Sequence, residues 1–301
     1  MVLAPEIARL GSRLGVGPKG NRDRAGAVVL ADSSKLMTAT SSAPYPFGFI
    51  GDGLTRCAAL ALPCSQVRAL LPAGLELGEQ NLTPRGTHPV IFLFHRFFRC
   101  QYSFPTPLRP MSFHEQTAGI PFTYIRAGNG APRGLGPYYF MPKLYLDDWW
   151  VWMNGRFLWG FDKEMAAVTE TENRYTVMSP AGRPLVSLEW NGEAEFRSAA
   201  FGYGSFEPVR QMLSQPLVTS FPAAAGPFAA LTDFDRRWPL GTVRPVSAVL
   251  QVEPGYMPGF DGGQYNAAGP GSDSRVIGSY ELSAPWWLSL PYAPPAAIAA
   301  G

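Results

Sequence analysis

The sequence contains few charged residues, few cysteines and few histidines. Charged side chains make up 16% of its 301 residues and the formal net charge is +2, and no basic run is dense enough to indicate binding to nucleic acid. Cys57, Cys64 and Cys100 cannot form a paired disulfide framework, and neither they nor the three histidines have metal-ligand spacing. We therefore expect reduced thiols in a cytoplasmic protein without a metal or a cofactor.

No apolar run is long enough to cross a membrane, and the N-terminal segment lacks the apolar core of a secretion signal. Glycine and proline are abundant instead, with 32 and 30 residues, which favours many short strands joined by turns over long helices. Hydrophobic residues reach 46%, enough to exclude a disordered chain and to fill a large core. The composition predicts a globular protein rich in strands, with no membrane segment.

Chemistry is concentrated in residues 145–166, with the sequence YLDDWWVWMNGRFLWGFDKEMA. Asp147 or Asp148 can accept hydrogen bonds from the free N–H groups at the start of a helix. The apolar segment that follows is rich in tryptophan and predicts a helix buried on nearly every side. Gly160 stands where such a helix ends in a left-handed residue. The pattern predicts a buried helix that ends shortly before Lys163.

Lys163 has two interpretations. Trp159 and Phe161 can exclude water from it, and burial disfavours the charged form of an amine, so Lys163 would be a nucleophile able to form a Schiff base with a ketone or aldehyde. Alternatively, Lys163 extends along apolar surface and places its ammonium in water, as most lysines do. The local residues alone leave both interpretations open.

Apolar composition predicts strands in residues 54–62, 88–98, 119–127 and 137–146. A further strand is predicted over 111–116, where Phe113 and Glu115 share one face and His114 lies on the other. If the first face is inward, Glu115 is a carboxylate in an apolar setting that can transfer protons. If it is outward, Glu115 is an ordinary solvent-facing residue. His114 is not among the predicted catalytic residues.

The residues around Lys163 resemble the signature of the acetoacetate decarboxylase-like superfamily, and the chain is identified as a divergent member. Gly155-Arg156 and Gly160-Phe161 precede Lys163 in the family's order. The family's early helix, its aromatic-x-Glu strand and its late strand resemble residues 65–77, 111–116 and 243–254. The resemblance covers residues 54–254.

The resemblance implies an α+β fold, mostly antiparallel β, with a cone-like or barrel-like sheet and a few helices. We expect a partly disordered N-terminal arm over residues 1–42 and the acetoacetate decarboxylase-like domain over residues 43–256. A C-terminal extension over residues 257–301 would pack on this domain. The hydrophobic content and the tryptophan-rich helix favour a homo-oligomer.

The resemblance also implies a catalytic site. Lys163 occupies the position of the family's Schiff-base lysine, and Glu115 that of its acidic active-site residue. Acting on a small keto acid or another carbonyl compound, this pair would make the protein a carbon–carbon lyase, whether decarboxylase-like or aldolase/dehydratase-like. The expected substrate-binding residues are Phe113, Tyr145, Arg156, Trp159 and Phe161.

Four positions depart from the family's pattern. Glu164 replaces a second lysine whose charge activates the first, Phe157 replaces a glutamate, and Asp162 replaces a proline. Arg56 is out of register with the family's arginine that pairs with the substrate carboxylate. A carboxylate at position 164 favours the ammonium of Lys163 unless it points away. The departures at Phe157, Asp162 and Glu164 favour the alternative function, a non-catalytic member that binds a small ligand or serves as a structural subunit.

Overall fold

The computed structural model describes most of the chain between Phe47 and Tyr292. The described residues are 47–103, 109–126, 135–192, 194–220, 229–267, 273 and 275–292. The predicted N-terminal arm, residues 1–42, lies outside them. Within the described part of the chain, no helix is both long enough and apolar enough to cross a membrane.

Strands dominate the described residues. In chain order they are β1 (Gly48–Pro63), β2 (Leu75–Leu77), β3 (Thr87–Tyr102), β4 (Met111–Ile125), β5 (Leu135–Leu146), β6 (Lys163–Met165), β7 (Ala167–Glu170), β8 (Arg174–Met178), β9 (Pro184–Asn191), β10 (Arg197–Ser198), β11 (Leu217–Ser220), β12 (Ala229–Thr232), β13 (Phe234–Arg236), β14 (Thr242–Pro245), β15 (Ser247–Val252), β16 (Gly263–Ala267) and β17 (Val276–Ser289). The helices are α1 (Cys64–Ala69), α2 (Trp149–Phe157) and α3 (Glu207–Leu213), with 3-10 helices at Gly204–Phe206 and Trp238–Leu240. The segments predicted as strands fall on β1, β3, β4 and β5, and two of them join in β4.

The larger sheet has twelve strands in the main order β10-β14-β17-β1-β3-β4-β5-β11-β12. Strands β13, β2 and β6 pair with β17, β4 and β5, outside this order. Pairing is antiparallel except where β6 and β11 run parallel to β5. This arrangement confirms a mostly antiparallel fold with few helices. The described strands at the two ends of the order, β10 and β12, do not pair with each other, so the sheet is not a closed barrel.

Two hydrophobic cores cover the two faces of the larger sheet. The smaller sheet, in the antiparallel order β16-β15-β9-β8-β7, shares a core with Leu60 and Leu62 of β1. The opposite face shares a core with α2 and α3 and contains Cys57 and Ala59 of the same strand. Because both faces are covered, the central strands are apolar on both sides. The candidate site lies in the core beneath the helices.

The C-terminal segment contributes an inner strand to the larger sheet. β17 pairs with β1 in antiparallel register from Gly48 opposite Ser289 to Leu60 opposite Val276. Its other edge pairs with β13 and β14. Residues 276–289 of the predicted C-terminal extension therefore help to build the sheet that carries the site.

Helix α2 begins as its residues predict and is more exposed than they predict. Asp148 accepts hydrogen bonds of 2.9 Å from the backbone N–H groups of Trp150 and Val151. The prediction of burial on nearly every side is wrong, since Trp149 is 57% and Phe157 71% exposed. A single helix lying on a sheet turns only one face towards it, so the apolar residues of the other face stay in solvent. The homo-oligomer stays a prediction.

Candidate active site

Lys163 and Glu115 meet beneath α2. Lys163 is the first residue of β6 and lies beside Leu144 of β5, while Glu115 on β4 pairs with Leu146 of β5. Strand β5 therefore holds the two side chains on one face of the sheet, and Lys163 Nζ lies 2.6 Å from Glu115 Oε2. Lys163 is 6% and Glu115 9% exposed. The interpretation of Lys163 as a lysine with its ammonium in water is wrong.

The ion pair lies in the wall of a cavity of about 80 Å³. Three of the predicted substrate-binding residues, Phe113, Trp159 and Phe161, line this cavity. Its surface is mainly aromatic and aliphatic, as in small-molecule sites that orient a ligand with a few polar groups. Within such walls the attraction between two opposite charges is screened much less than on the surface.

Glu164, which replaces the family's second lysine, does not face the cavity. Successive side chains of β6 point to opposite faces of the sheet. Glu164 Oε2 lies 3.1 Å from Lys143 Nζ on the outer side, which is the face of the sheet away from the cavity. Asp162 also pairs with Lys143, at 3.2 Å. The two acidic departures from the family's pattern are therefore neutralised away from Lys163.

Two predicted substrate-binding residues, Tyr145 and Arg156, lie outside the cavity. Tyr145 points into the core between the sheets, where its hydroxyl donates to the Tyr256 carbonyl, because its neighbours in β5 face the helices. Arg156 is on the surface and donates to the Lys163 carbonyl at 3.0 Å. It also pairs with Asp162 and not with Asp147 or Asp148. Arg156 thus holds the backbone of the lysine segment from outside.

The sequence profile of the family described as Acetoacetate decarboxylase (ADC) matches residues 37–233, more than half of the chain. The chain belongs to the acetoacetate decarboxylase family. No curated protein matches it. Since this family is named for a catalytic activity, its match supports a catalytic role.

Solved structures show the same fold. The acetoacetate decarboxylase of Legionella pneumophila subsp. pneumophila str. Philadelphia 1 has a TM-score of 0.54 and 14% identity, over 90% of this chain and 98% of that chain. A second acetoacetate decarboxylase structure has a TM-score of 0.53 and 12% identity, over 84% of this chain and 90% of that chain. At these identities the similarity shows that this chain has the same fold as the two structures, and it shows nothing about activity or substrate.

In this family member, Gly155 of α2 creates the space that Lys163 occupies. A Cβ added at Gly155 would lie 2.3 Å from Lys163 Cε and 2.8 Å from Lys163 Nζ. Any side chain at position 155 therefore forces the lysine to move. The two residues of the Gly155-Arg156 pair therefore have different roles. Gly155 leaves space for Lys163 on the cavity side, and Arg156 donates a hydrogen bond to the Lys163 carbonyl on the outer side.

We expect Gly155→Ala to fold and to displace the Lys163 side chain. Alanine favours a helix over glycine by about 1 kcal/mol, and the displaced atoms belong to a flexible side chain. A displacement of about 1 Å at a reacting group can cost about 100-fold in rate, so borohydride trapping of a carbonyl compound should slow by at least 10-fold. Gly204→Ala is the matched control, because an added Cβ there has no atom within 4 Å. Equal trapping rates in both variants would contradict this role for Gly155.

Among the polar residues that line the cavity, His95 and Arg236 were not predicted as site residues. His95 of β3 is buried with its Nδ1 2.8 Å from Thr55 Oγ1. Burial, then the charges of Arg236 and Lys163, hold the pKa of His95 well below its usual value, so its ring is neutral at neutral pH. Arg236 of β13 is buried in the same wall. Their only sequence signal is a polar residue within an apolar strand, which does not distinguish a site from a satisfied core residue.

His114 lies on the other face of β4 and joins a charge network outside the cavity. Its Nδ1 is 2.8 Å from Asp147 Oδ2 and its Nε2 is 3.1 Å from Glu170 Oε2. Glu170 and Glu281 both pair with Arg56, and Arg56 is not among the residues that line the cavity. Burial opposes protonation of His114, but the hydrogen bonds and charges of Asp147 and Glu170 outweigh it and raise the pKa to about 9.

The contribution of His114 to the free energy of unfolding should therefore fall as the pH rises. An unfolded histidine has a pKa near 6.5, so the His114 contribution is complete below pH 6.5 and is lost as the pH passes 9. Its size is on the order of 3 kcal/mol, from about 1.4 kcal/mol per pKa unit. Urea denaturation at pH 6 and pH 10 measures this loss. Between the two pH values, the free energy of unfolding of the wild type should fall by about this amount more than that of His114→Gln. The same pH dependence in both proteins would contradict the assignment.

Proposed function

We propose that this protein is a Schiff-base-forming lyase that acts on a small keto acid or another carbonyl compound. The main observation in support of this proposal is the 2.6 Å contact between Lys163 Nζ and Glu115 Oε2 in a small apolar cavity. A buried amine beside a buried carboxyl can exchange a proton without solvent. This property supports both the nucleophilic role of Lys163 and the proton-transfer role of Glu115.

The pair can carry every proton needed to form an iminium. Transfer of one proton from Lys163 Nζ to Glu115 leaves a neutral amine beside a carboxylic acid. The amine lone pair adds to the carbonyl carbon, and one nitrogen proton moves to the former carbonyl oxygen to give a carbinolamine. The carboxylic acid protonates the hydroxyl, which leaves as water. The products are a protonated iminium and the Glu115 carboxylate, so the net charge of the site is unchanged.

The iminium then accepts the electron pair of the bond that breaks next to it, which gives an enamine. Decarboxylation, retro-aldol cleavage and dehydration share this enamine. Phe113, Trp159 and Phe161 would keep water away from it and pack against the substrate chain. Reprotonation of the enamine and hydrolysis of the iminium by water release the product and restore the Lys163 amine.

Borohydride trapping tests the proposal. The protein is incubated with pyruvate, 3-oxobutanoate or a short aldehyde, reduced with sodium borohydride, and digested for peptide mass spectrometry. We expect the mass of the reduced adduct on the peptide that contains Lys163. A folded protein that no carbonyl compound labels would favour the alternative, a non-catalytic member that binds a small ligand in the same cavity.

A further inference from the structure

Arg236 is a buried cation without a carboxylate partner among the described residues. It is 7% exposed, and its only side-chain hydrogen bond in this part of the chain runs from Nη1 to the Leu213 carbonyl at 2.8 Å. That carbonyl ends α3, a favourable place for a cation. Burial lowers the pKa of Arg236 to about 10, which still leaves the guanidinium charged at neutral pH.

Arg56, which is also buried among the described residues, shows how a guanidinium can be satisfied in this fold. Arg56 pairs with Glu170 and with Glu281, and its guanidinium lies over the ring of Trp190. Arg236 also lies over a ring, 4.2 Å from the centroid of Phe234, but no carboxylate of the described residues pairs with it. A buried charge that lacks its counter-ion is costly, and an arginine fork presents several N–H donors to whichever anion arrives.

Further unsatisfied groups lie in the same part of the wall. Trp286 of β17 is directly opposite Arg236 in the ladder, so both side chains are on one face of the sheet. Trp286 Nε1 and Tyr139 Oη are buried and have no hydrogen-bond partner among the described residues. Both residues line the cavity, as Arg236 does. An indole N–H is only a donor and a hydroxyl can act as one, so this wall favours a ligand that accepts hydrogen bonds.

The part of the wall around Arg236 and the Lys163 amine line the same cavity. Arg236, Lys163 and His95 all line it, and the charges of the two cations both act on His95. A ligand that spans the cavity therefore meets a guanidinium with one part and the amine with another. Arg236 lies beyond residue 233, where the family match ends, so the match assigns it no role.

We propose that Arg236 binds the carboxylate of the substrate and selects small oxo carboxylates over uncharged ketones and aldehydes. The guanidinium holds the anion while the carbonyl carbon of the same molecule lies at Lys163 Nζ. The carbonyl part of this inference rests on the proposed function, and the anion part rests on Arg236 and its neighbours alone.

Anion binding can be measured without an imine. Butyrate carries a carboxylate and no reactive carbonyl, and butyramide is its uncharged counterpart. Calorimetric titration of the full chain should show wild-type protein binding butyrate at least about 10-fold more tightly than butyramide. Arg236→Gln should weaken butyrate binding about 10- to 100-fold, the range for a hydrogen bond to a charged group. Arg236→Lys keeps the charge without the fork and should lie between them.

Trapping then measures selection among carbonyl compounds. 3-Oxobutanoate and 2-butanone have the same number of carbons and differ in the carboxylate. Arg236→Gln should lower the ratio of labelling by the oxo acid to labelling by the ketone about 10- to 100-fold, with ketone labelling within about threefold of wild type. Arg237→Gln is the matched control, since this neighbour is partly exposed and lies near Asp235; it should leave the ratio unchanged.

Three outcomes separate the possibilities. Equal binding of butyrate and butyramide by the wild type would overturn the proposal and leave Arg236 as a cap on α3, and this result does not depend on whether a variant folds. An unchanged labelling ratio in a folded Arg236→Gln protein would overturn it as well. Arg236-dependent butyrate binding, in a protein that no carbonyl compound labels, would support the anion site while contradicting the Schiff-base function.

Discussion

Lys163→Met should abolish borohydride-dependent labelling and lower turnover of any labelling substrate by roughly 10⁴-fold or more, the order that loss of a covalent nucleophile costs. Methionine has a similar length and fills the same apolar space, but it has no amine to form the iminium. The measurement is peptide mass spectrometry after reduction, together with product formation at saturating substrate. Binding of butyrate should persist, because the anion site does not include Lys163.

Lys143→Met is the matched control for this substitution. Lys143 also pairs with carboxylates, at 3.2 Å from Asp162 and 3.1 Å from Glu164, but it lies outside the cavity. Its replacement should leave labelling within about twofold of wild type, because a pair near the surface contributes little. Labelling that survives in Lys163→Met and disappears in Lys143→Met would show that the wrong lysine has been assigned.

Glu115→Gln should slow the reaction about 10²- to 10⁴-fold, the usual range for removing a general acid or base. The amide can still accept a hydrogen bond from Lys163, so the side chain stays in place. It cannot take the proton from the ammonium or return it to the departing hydroxyl. The rate of adduct formation should therefore fall, whereas the final mass of the trapped adduct should be the same as in wild type.

Glu164→Gln separates the chemistry of the cavity from the acidic departure in the motif. Its side chain is 47% exposed and faces Lys143, so its replacement should change the rate by less than about twofold. If Glu164→Gln instead accelerates adduct formation strongly, the charge of Glu164 reaches Lys163 in the wild type and the assignment of Glu164 to the outer side is wrong.

A Glu115→Gln enzyme that forms the adduct at the wild-type rate would remove Glu115 from the mechanism.

The features predicted best from the sequence depend on residues close together in the chain. Asp148 caps α2, as the two candidate aspartates before an apolar run indicated. Gly160 has the expected left-handed conformation, with φ of +73°. The alternation around Glu115 also holds, because Glu115 lines the cavity while His114 lies on the opposite face. Capping, turn conformation and strand alternation are all decided within a few residues.

The wrong predictions concern which side of an element faces the interior. Trp149 and Phe157 were predicted to be buried, but apolar composition does not reveal how many neighbours a helix has. Tyr145 was expected at the substrate, but it lies between two strand residues that face the helices. The pairing of β5 with β4 and β6 decides which face of the sheet each β5 side chain occupies. A shift of one residue in this pairing would move every side chain to the other face.

The sequence by itself determined the family, the strand-rich composition, the start of α2 and the segment that delivers Lys163. These depend on local residue order, which survives without knowledge of the partners in space. The resemblance implied that Lys163 and Glu115 act as a pair, but only the tertiary structure decided that they meet at 2.6 Å from the strands on either side of β5, that Glu164 faces away, and that Arg236 lies in the same cavity. The position of Arg236 follows from the ladder between β13 and β17, and the residues of one strand do not show which distant segment pairs with it.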